Sequence, residues 1–491
     1  MEINKKAIFF ILILKSTLLS PILLAQTITW TGATDNVWHR ACNWDLGIIP
    51  TCSHDVVVPT VTTYPVVTGL AHSKSISITS NDPNAVTINS SGSGLLEIGS
   101  MGGSCSGTPT DSSGCGLPNC TVLQSNATAK NDEGYGMAMN SSGIFLVGGE
   151  NNDGGLGSEK WRIEKRNPTT GALVAAFGTG GIVNIDPDPS QVGEYARRVT
   201  IDASGLYIIG LGFPAGVQKW YIVKLNLTTG ATLWSQTSTA SFGLPRDIAV
   251  DASGVYVVGY ENSAGNSGWW IEKRNLSTGA LIGAFGTGGV VTVNPTTEFD
   301  GAYCITISGS SLFIGGSDNT PSGTNNNSQW RIESRDATTG ALNTGFATSG
   351  VLTYNVTDVN FDGNTVWEIA NDGSYLYLAA SGKAGNASCF SVEKRDITTG
   401  AQVWTQSPTC GSTGIGGIVV DATGVYAAGT LGQWRLDKYN LNTGAIECTT
   451  TSTRYANDIA KSGSNVYVFG TDFDLGVNDF QWRIESQCGC P

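Results

Sequence analysis

Histidine is almost missing from this chain: His39, His54 and His72 are the only three in 491 residues. Everything after His72 therefore lacks an imidazole, which excludes His-dependent nucleophile triads and His-ligated metal sites there. Basic clusters are missing too. Lys and Arg total 27 against 40 Asp and Glu, a formal net charge of −13, and no Lys/Arg run tracks phosphates, so nucleic acid is excluded as a partner. Beyond the first 25 residues no apolar run approaches the ~20 residues of a membrane-crossing helix, and no membrane span is expected. Nucleophile-elbow and phosphate-loop signatures are also wanting. Paired carboxylates remain the only candidate acid–base chemistry.

What is present begins with a leader. In residues 1–25, Lys5 and Lys6 precede "AIFFILIL", and "PILLA" ends in a small residue before Gln26. That pattern predicts a signal peptide, so the mature chain is expected to start at Gln26 and to be secreted or held at the cell surface, as a monomer. Residues 26–98, with "TITWTG", "DVVVP", "SISITS" and "AVTIN", predict a small all-β module, and 99–118 read as a Gly/Ser/Cys-rich linker.

From 119 to 491 the chain repeats itself. "WRIEKRNPTTGALVAAFGTGGIV" starts at Trp161 and "WWIEKRNLSTGALIGAFGTGGVV" at Trp269, and equivalent anchors stand at Trp161, Trp220, Trp269, Trp330, Phe390, Trp434 and Trp482. Each anchor follows a strand-like run such as "GLYIIGL" or "GVYVVGY", itself preceded by a shorter run such as "RRVTID". Anchor spacing is about 60 residues in long units carrying an "AFGTGG"-type insertion and about 45–50 in short ones. Four strands per unit and seven units predict an all-β fold, a seven-bladed β-propeller. The seventh unit stops after its third strand, "QWRIES", and "CTVLQSNAT" at 120–128 has no earlier partner. The ring is therefore expected to close by pairing these two segments.

Three resemblances follow from these residues. The "GALxxAFGTGGxV" phrase resembles FGTGG-type propeller repeats of secreted bacterial proteins, which implies the fold far more than an activity. "TWTGATDNVWHRACNWDLGIIPT", with Trp30, Trp38 and Trp44, resembles an N-terminal module of secreted and surface proteins of Bacteroidota. "TTGATLW" ending at Trp234 and "TTGAQVW" ending at Trp404 resemble the tryptophan docking turns of quinoprotein propellers, but only two of seven units carry that Trp. Trp30, Trp38 and Trp44 have two readings, core packing or stacking on sugar rings.

Eleven cysteines in an exported chain predict disulfides with at least one thiol left over. Cys42 and Cys52 are candidates to bond each other, with a zinc site formed with His39 and His54 as the alternative. Cys389 and Cys410 flank one turn and should pair. Cys488 or Cys490 is expected to bond Cys115 or Cys120, latching the ring. Cys304, on an inner strand, is expected to be a buried thiol, while Cys105 and Cys448 have no assigned partner.

Fold-required positions should recur from unit to unit, and positions used for recognition need not. Turns such as "DASG" and "TTG" recur on one side of the ring, while the loops on the other side vary. Where the first strand of each unit begins on that variable face, two successive columns break the repetition. The first reads Tyr135, Arg197, Arg246, Tyr303, Trp367, Gly416 and Asn457; the second reads Gly136, Arg198, Asp247, Cys304, Glu368, Gly417 and Asp458. Charges of both signs beside aromatic rings predict a ligand site at the channel mouth, lined by Arg198, Asp247, Glu368, Asp458 and Arg246 with Trp367 as stacking surface. Mutual ion pairing across the channel is the alternative use. The acidic loops "DPDPSQVGE", "TTEFDG" and "TDVNFDG" are candidate Ca²⁺ ligands without the spacing of a calcium loop, and no other cofactor is expected. The functional expectation is an extracellular binding, adhesion or scaffold protein for carbohydrate or protein. The alternative is a glycosidase or polysaccharide lyase that uses propeller carboxylates.

Overall fold

A computed structural model describes residues 119–488 apart from loop segments, the longer being 126–131, 152–158, 189–192, 321–326, 355–363 and 475–478, together with parts of 26–98. The segments 1–25 and 99–118, and with them the expected signal peptide and linker, lie outside the described residues. The chain divides into two compact units, Met1–Thr110 and Asp111–Pro491.

Among the described residues of the first unit every ladder of two or more pairs is parallel, beside one antiparallel bridge between Trp30 and Trp44. Gln26–Thr29 pairs with His54–Val58, which pairs with Ser75–Ile78, while Val66–Val67 pairs with Thr87–Ile88 and Leu70–Ser73 with Leu95–Ile98. Trp30, Trp38 and Trp44 are buried, with ring centroids 4.9 and 4.7 Å apart in edge-to-face contact. Core packing is their use, and their faces are not offered to a sugar.

The second unit is a seven-bladed β-propeller. Six blades are four-stranded antiparallel sheets in chain order, starting at Glu133, Tyr195, Gly243, Gly301, Thr365 and Thr413. The seventh uses Tyr455–Ser462, Asn465–Asp474 and Asp479–Cys488, and takes its outermost strand from Asn119–Ser125 in the register Trp482↔Ser125 to Gln487↔Asn119. The ring closes as the sequence predicts.

Each letter of the repeated phrase has a contact. The anchor Trp reaches the next blade: Trp161 Nε1 donates to the Leu211 carbonyl at 2.8 Å and Trp269 Nε1 to Ser317 at 3.0 Å. Its ring lies so close to Gly210 that a Cβ there would fall 2.6 Å from the indole and 2.1 Å from the Tyr195 carbonyl, which is why the second strand keeps that glycine. The Lys spans the same boundary, Lys165 Nζ to Leu227 O at 2.8 Å and Lys273 Nζ to Ala337 O at 2.7 Å. The Glu and final Arg form a buried pair within the blade, as in Glu272–Arg274 at 2.6 Å. That Arg also fastens the following turn, Arg274 to Gly279 O at 2.9 Å and Arg166 to Gly171 O at 2.9 Å.

Long and short blades solve one packing problem in two ways. In long blades the Phe of the insertion, Phe177 or Phe285, is buried and lies against Gly230 or Gly340 in the turn of the next blade. In the short second and fifth blades Trp234 and Trp404 lie against Gly279 and Gly444, and their Nε1 atoms donate to Leu276 O and Leu441 O, both at 3.1 Å. The turns that resemble quinoprotein docking turns are thus contacts between blades.

Cys304 is a buried free thiol, as expected. Cys389 stands opposite Cys410 in register, and Cys389 and Cys448 are each disulfide-bonded. Cys42, Cys52, Cys105, Cys115 and Cys490, and the side chains of Cys120, Cys410 and Cys488, lie outside the described residues, so the other expected pairings do too.

Candidate functional site at the channel mouth

The two irregular columns coincide with a backbone irregularity present in every blade. Each inner strand carries a β-bulge against its neighbour, and the residue left off the ladder is Tyr135, Arg197, Arg246, Tyr303, Trp367, Gly416 or Asn457, the whole of the first column. A bulge releases one residue from strict alternation and re-aims its side chain. Repeated around a ring of inner strands, it presents a layer of side chains that blade packing does not dictate.

One step along each strand the second column meets across the channel. Arg198 in blade two and Glu368 in blade five form an ion pair at 2.6 Å, each side chain 16 % exposed, so water reaches the pair. The same guanidinium donates to Tyr135 O at 2.8 Å. Asp247 and Asp458 spend both oxygens on backbone. Asp247 accepts from Ile248 N at 2.8 Å and from Ile305 N of the next blade at 2.8 Å. Asp458 accepts from Ile459 N at 2.7 Å and, across the ring closure, from Met137 N at 2.7 Å. Two of the five carboxylate and guanidinium residues named from sequence therefore also hold adjacent blades together.

Three carboxyls around one guanidinium perturb one another. Burial pushes Glu368 up to about 8; Arg198 opposes the rise, and Asp247 and Asp458 add to it. Burial also pushes Asp247 up to about 6, against Arg198 and the two N–H donors, and raises Asp458. Burial alone would lower Arg198, but Glu368, Asp458 and Asp247 outweigh it and raise it.

The bulge layer is different in sign. Burial, Arg246 and Arg198 together lower Arg197 to about 10, and no carboxylate stands among its main influences. The buried Nε atoms of Arg197 and Arg246 have no hydrogen-bond partner. Aromatic rings flank Arg246, which lies 5.2 Å from the Tyr260 ring centroid and 4.7 Å from that of Tyr303. Tyr303 meets Trp367 edge-on at 4.8 Å, and Tyr135 lies 5.0 Å from Tyr195. Trp367 is held by its Nε1, which donates to Ser381 Oγ at 2.8 Å. Arg197 is not among the site residues expected from sequence. Its signal was there, since 197–198 is the only Arg-Arg pair in the chain.

Asp300, in one of the acidic loops, accepts from Asn319 N at 2.9 Å and from Thr296 Oγ1 at 2.9 Å, fastening that loop to its blade. Among the described residues no group of three or more His, Cys, Asp or Glu is placed to hold a metal ion.

No family model matches the sequence, and no curated protein matches it. Solved structures do. U3-55K aligns with a TM-score of 0.48 at 10% identity, over 74% of this chain and 98% of its own. BamB from Moraxella catarrhalis gives 0.38 at 14%, over 74% and 97%. A chain of the mitotic checkpoint complex gives 0.46 at 11%, over 78% and 99%. At such scores these likenesses say nothing of function, and the seven sheets themselves define the fold.

Proposed function

We propose that this propeller is an exported binding module, secreted or displayed at the cell surface, that receives carbohydrate or protein at the channel mouth on its variable-loop face. The observation carrying the reading is the bulge layer. Repeated residues are accounted for by contacts between and within blades, whereas the seven bulge residues do not repeat and gather arginines and aromatic rings in one place. Arg246 and Trp367 make the ligand wall, and Arg198, Glu368, Asp247 and Asp458 form a charged floor beneath it. Disulfides support the ring outside the cell, with Cys389 bonded to Cys410 and Cys488 or Cys490 bonded to Cys115 or Cys120.

The test is a polysaccharide and protein panel, scored for retention and for new reducing or unsaturated ends. Retention without cleavage, lost in Trp367→Ala, is the expected result. No retention on any member overturns the reading. A carboxyl that holds its proton more tightly than usual is what a general acid needs, and Glu368, pushed up by burial in a water-reached ion pair, favours glycosidase or lyase chemistry as the second reading. New chain ends that disappear in Glu368→Gln would establish it.

A further inference from the structure

Arg197 and Arg246 occupy the bulge positions of adjacent blades, one residue nearer the start of each strand than Arg198 and Asp247. A buried guanidinium is normally paired, because leaving water without a counter-charge is costly. Elsewhere in this propeller that rule is kept. Arg162, Arg274, Arg331, Arg335, Arg395 and Arg483 each form an ion pair with a Glu. Arg198 has Glu368. Arg197 and Arg246, both half-buried, have no carboxylate partner among the described residues, their buried Nε atoms donate to nothing, and the charge of Arg246 opposes that of Arg197. In a chain with a net charge of −13, two adjacent arginines without acid partners are a local reversal of sign.

We propose that the missing partner is the carboxylate of an acidic sugar residue, held by Arg197 and Arg246 with its pyranose ring against Tyr303 and Trp367. The inference rests on the channel-mouth reading above and names its ligand class. Guanidinium forks match a carboxylate with two parallel N–H···O bonds, and two forks on neighbouring strands supply four donors or more. Tyr260, Tyr303 and Trp367 on one side, and Tyr135 and Tyr195 on the other, provide flat apolar faces with polar edges. Such faces take the C–H face of a sugar ring, whereas an extended peptide would ask for an unpaired strand edge, and each inner strand here is paired to its own blade and packed beside its neighbours. The acidic remainder of the protein repels a densely charged polymer, so the site suits one carboxylate on a sparsely charged or terminal sugar.

The test is titration of the intact protein with sodium glucuronate, alongside glucose, sodium sulfate, sodium acetate and a short peptide ending in a free carboxylate. Glucuronate should bind and raise the melting temperature, glucose and sulfate should not, and acetate should bind more weakly than glucuronate. Arg197→Gln and Arg246→Gln should each weaken glucuronate by an order of magnitude or more, the loss expected for a hydrogen bond between charged groups. Without ligand the Arg197→Gln variant should melt no lower than the parent, because it removes a half-buried guanidinium whose Nε donates to nothing and which the neighbouring Arg246 repels. Arg197→Lys keeps the charge without the fork, and should bind glucuronate with intermediate affinity. Sulfate binding as well as glucuronate, or binding unchanged in both Gln variants, overturns the proposal. So does peptide binding in place of glucuronate. If glucuronate fails while a neutral polysaccharide is retained and Trp367→Ala releases it, the binding face stands and only its acidic ligand falls.

Discussion

Among the Arg–Glu pairs of this ring, two kinds behave oppositely. Glu272–Arg274 and its counterparts Glu164–Arg166, Glu333–Arg335 and Glu393–Arg395 recur from blade to blade. In each, the Arg also fastens a turn through the carbonyl of Gly279, Gly171, Gly340 or Gly400. Arg198–Glu368 occurs once, joins blades two and five across the channel, and fastens no turn. The recurring pair is part of what makes a blade. The single pair is surrounded by acids that compete for the same guanidinium, and it does not need all of them charged.

Substitutions sharpen that contrast, and the largest effect belongs to the repeated phrase itself. Trp269→Ala removes a fully buried indole and its bond to the next blade, and should cost about 3–5 kcal/mol in chemical denaturation. Glu272→Ala leaves Arg274, only 2 % exposed, without its carboxylate, and should cost about 3 kcal/mol or more. Acidity tests the single pair. Glu368, Asp247 and Glu194 have carboxyls pushed up to about 8, 6 and 7, chiefly by burial, so the native state holds protons that the unfolded chain has already released. Their stabilisation is complete below the ordinary carboxyl range and is lost as pH rises toward 8, so stability should fall by on the order of 1 kcal/mol or more over that window.

At the acid end the sign reverses. The Asp336 and Asp396 carboxyls are held below their ordinary value by Thr339 and Thr399 donors in their turns, and that contribution disappears as pH falls through their lowered values. Melting temperature against pH should therefore peak in mild acid. The smallest effect is Glu368→Gln. Burial already shifts Glu368 toward its protonated form, so exchange for an amide should change stability at pH 7 by less than about 1 kcal/mol. The same variant should flatten the decline between pH 7 and 8. A cost near that of Glu272→Ala would erase the distinction between the two kinds of pair.

The blades were legible because their contacts are local or repeat at fixed spacing. Trp, Gly, the Glu–Arg pair and the turn glycine recur, and recurrence is visible without coordinates. The closing strand was legible for the complementary reason, since one unit lacked a strand and one strand lacked a unit. The columns at the mouth could be seen to break the pattern, but not why. A bulge is a property of register between two strands, and no composition of Tyr135, Arg197 or Gly416 announces it. The backbone caps on Asp247 and Asp458 were hidden for a similar reason, because an Asp that bonds N–H groups on another blade looks in sequence like an Asp facing a channel. Parallel pairing in the first unit was likewise invisible, since short apolar runs do not carry their direction. Cys448, disulfide-bonded in the structure, had no spacing that pointed to it.

The closing strand also sets a clock. Asn119–Ser125 leaves the site of synthesis before any other propeller strand, yet its partner Asp479–Cys488 leaves last. Until they meet, blade seven cannot exist, and with it are missing the Asp458 cap on Met137 and the Asn457 amide that donates to Gly134 O at 2.7 Å. These bonds tie the two ends of the array beside the Arg198 cluster. Six blades folded in order therefore leave the channel mouth open at one side. The Arg198 cluster gains its closing contacts only after the last strand has arrived, so the first strand made must wait for the last before the mouth is complete.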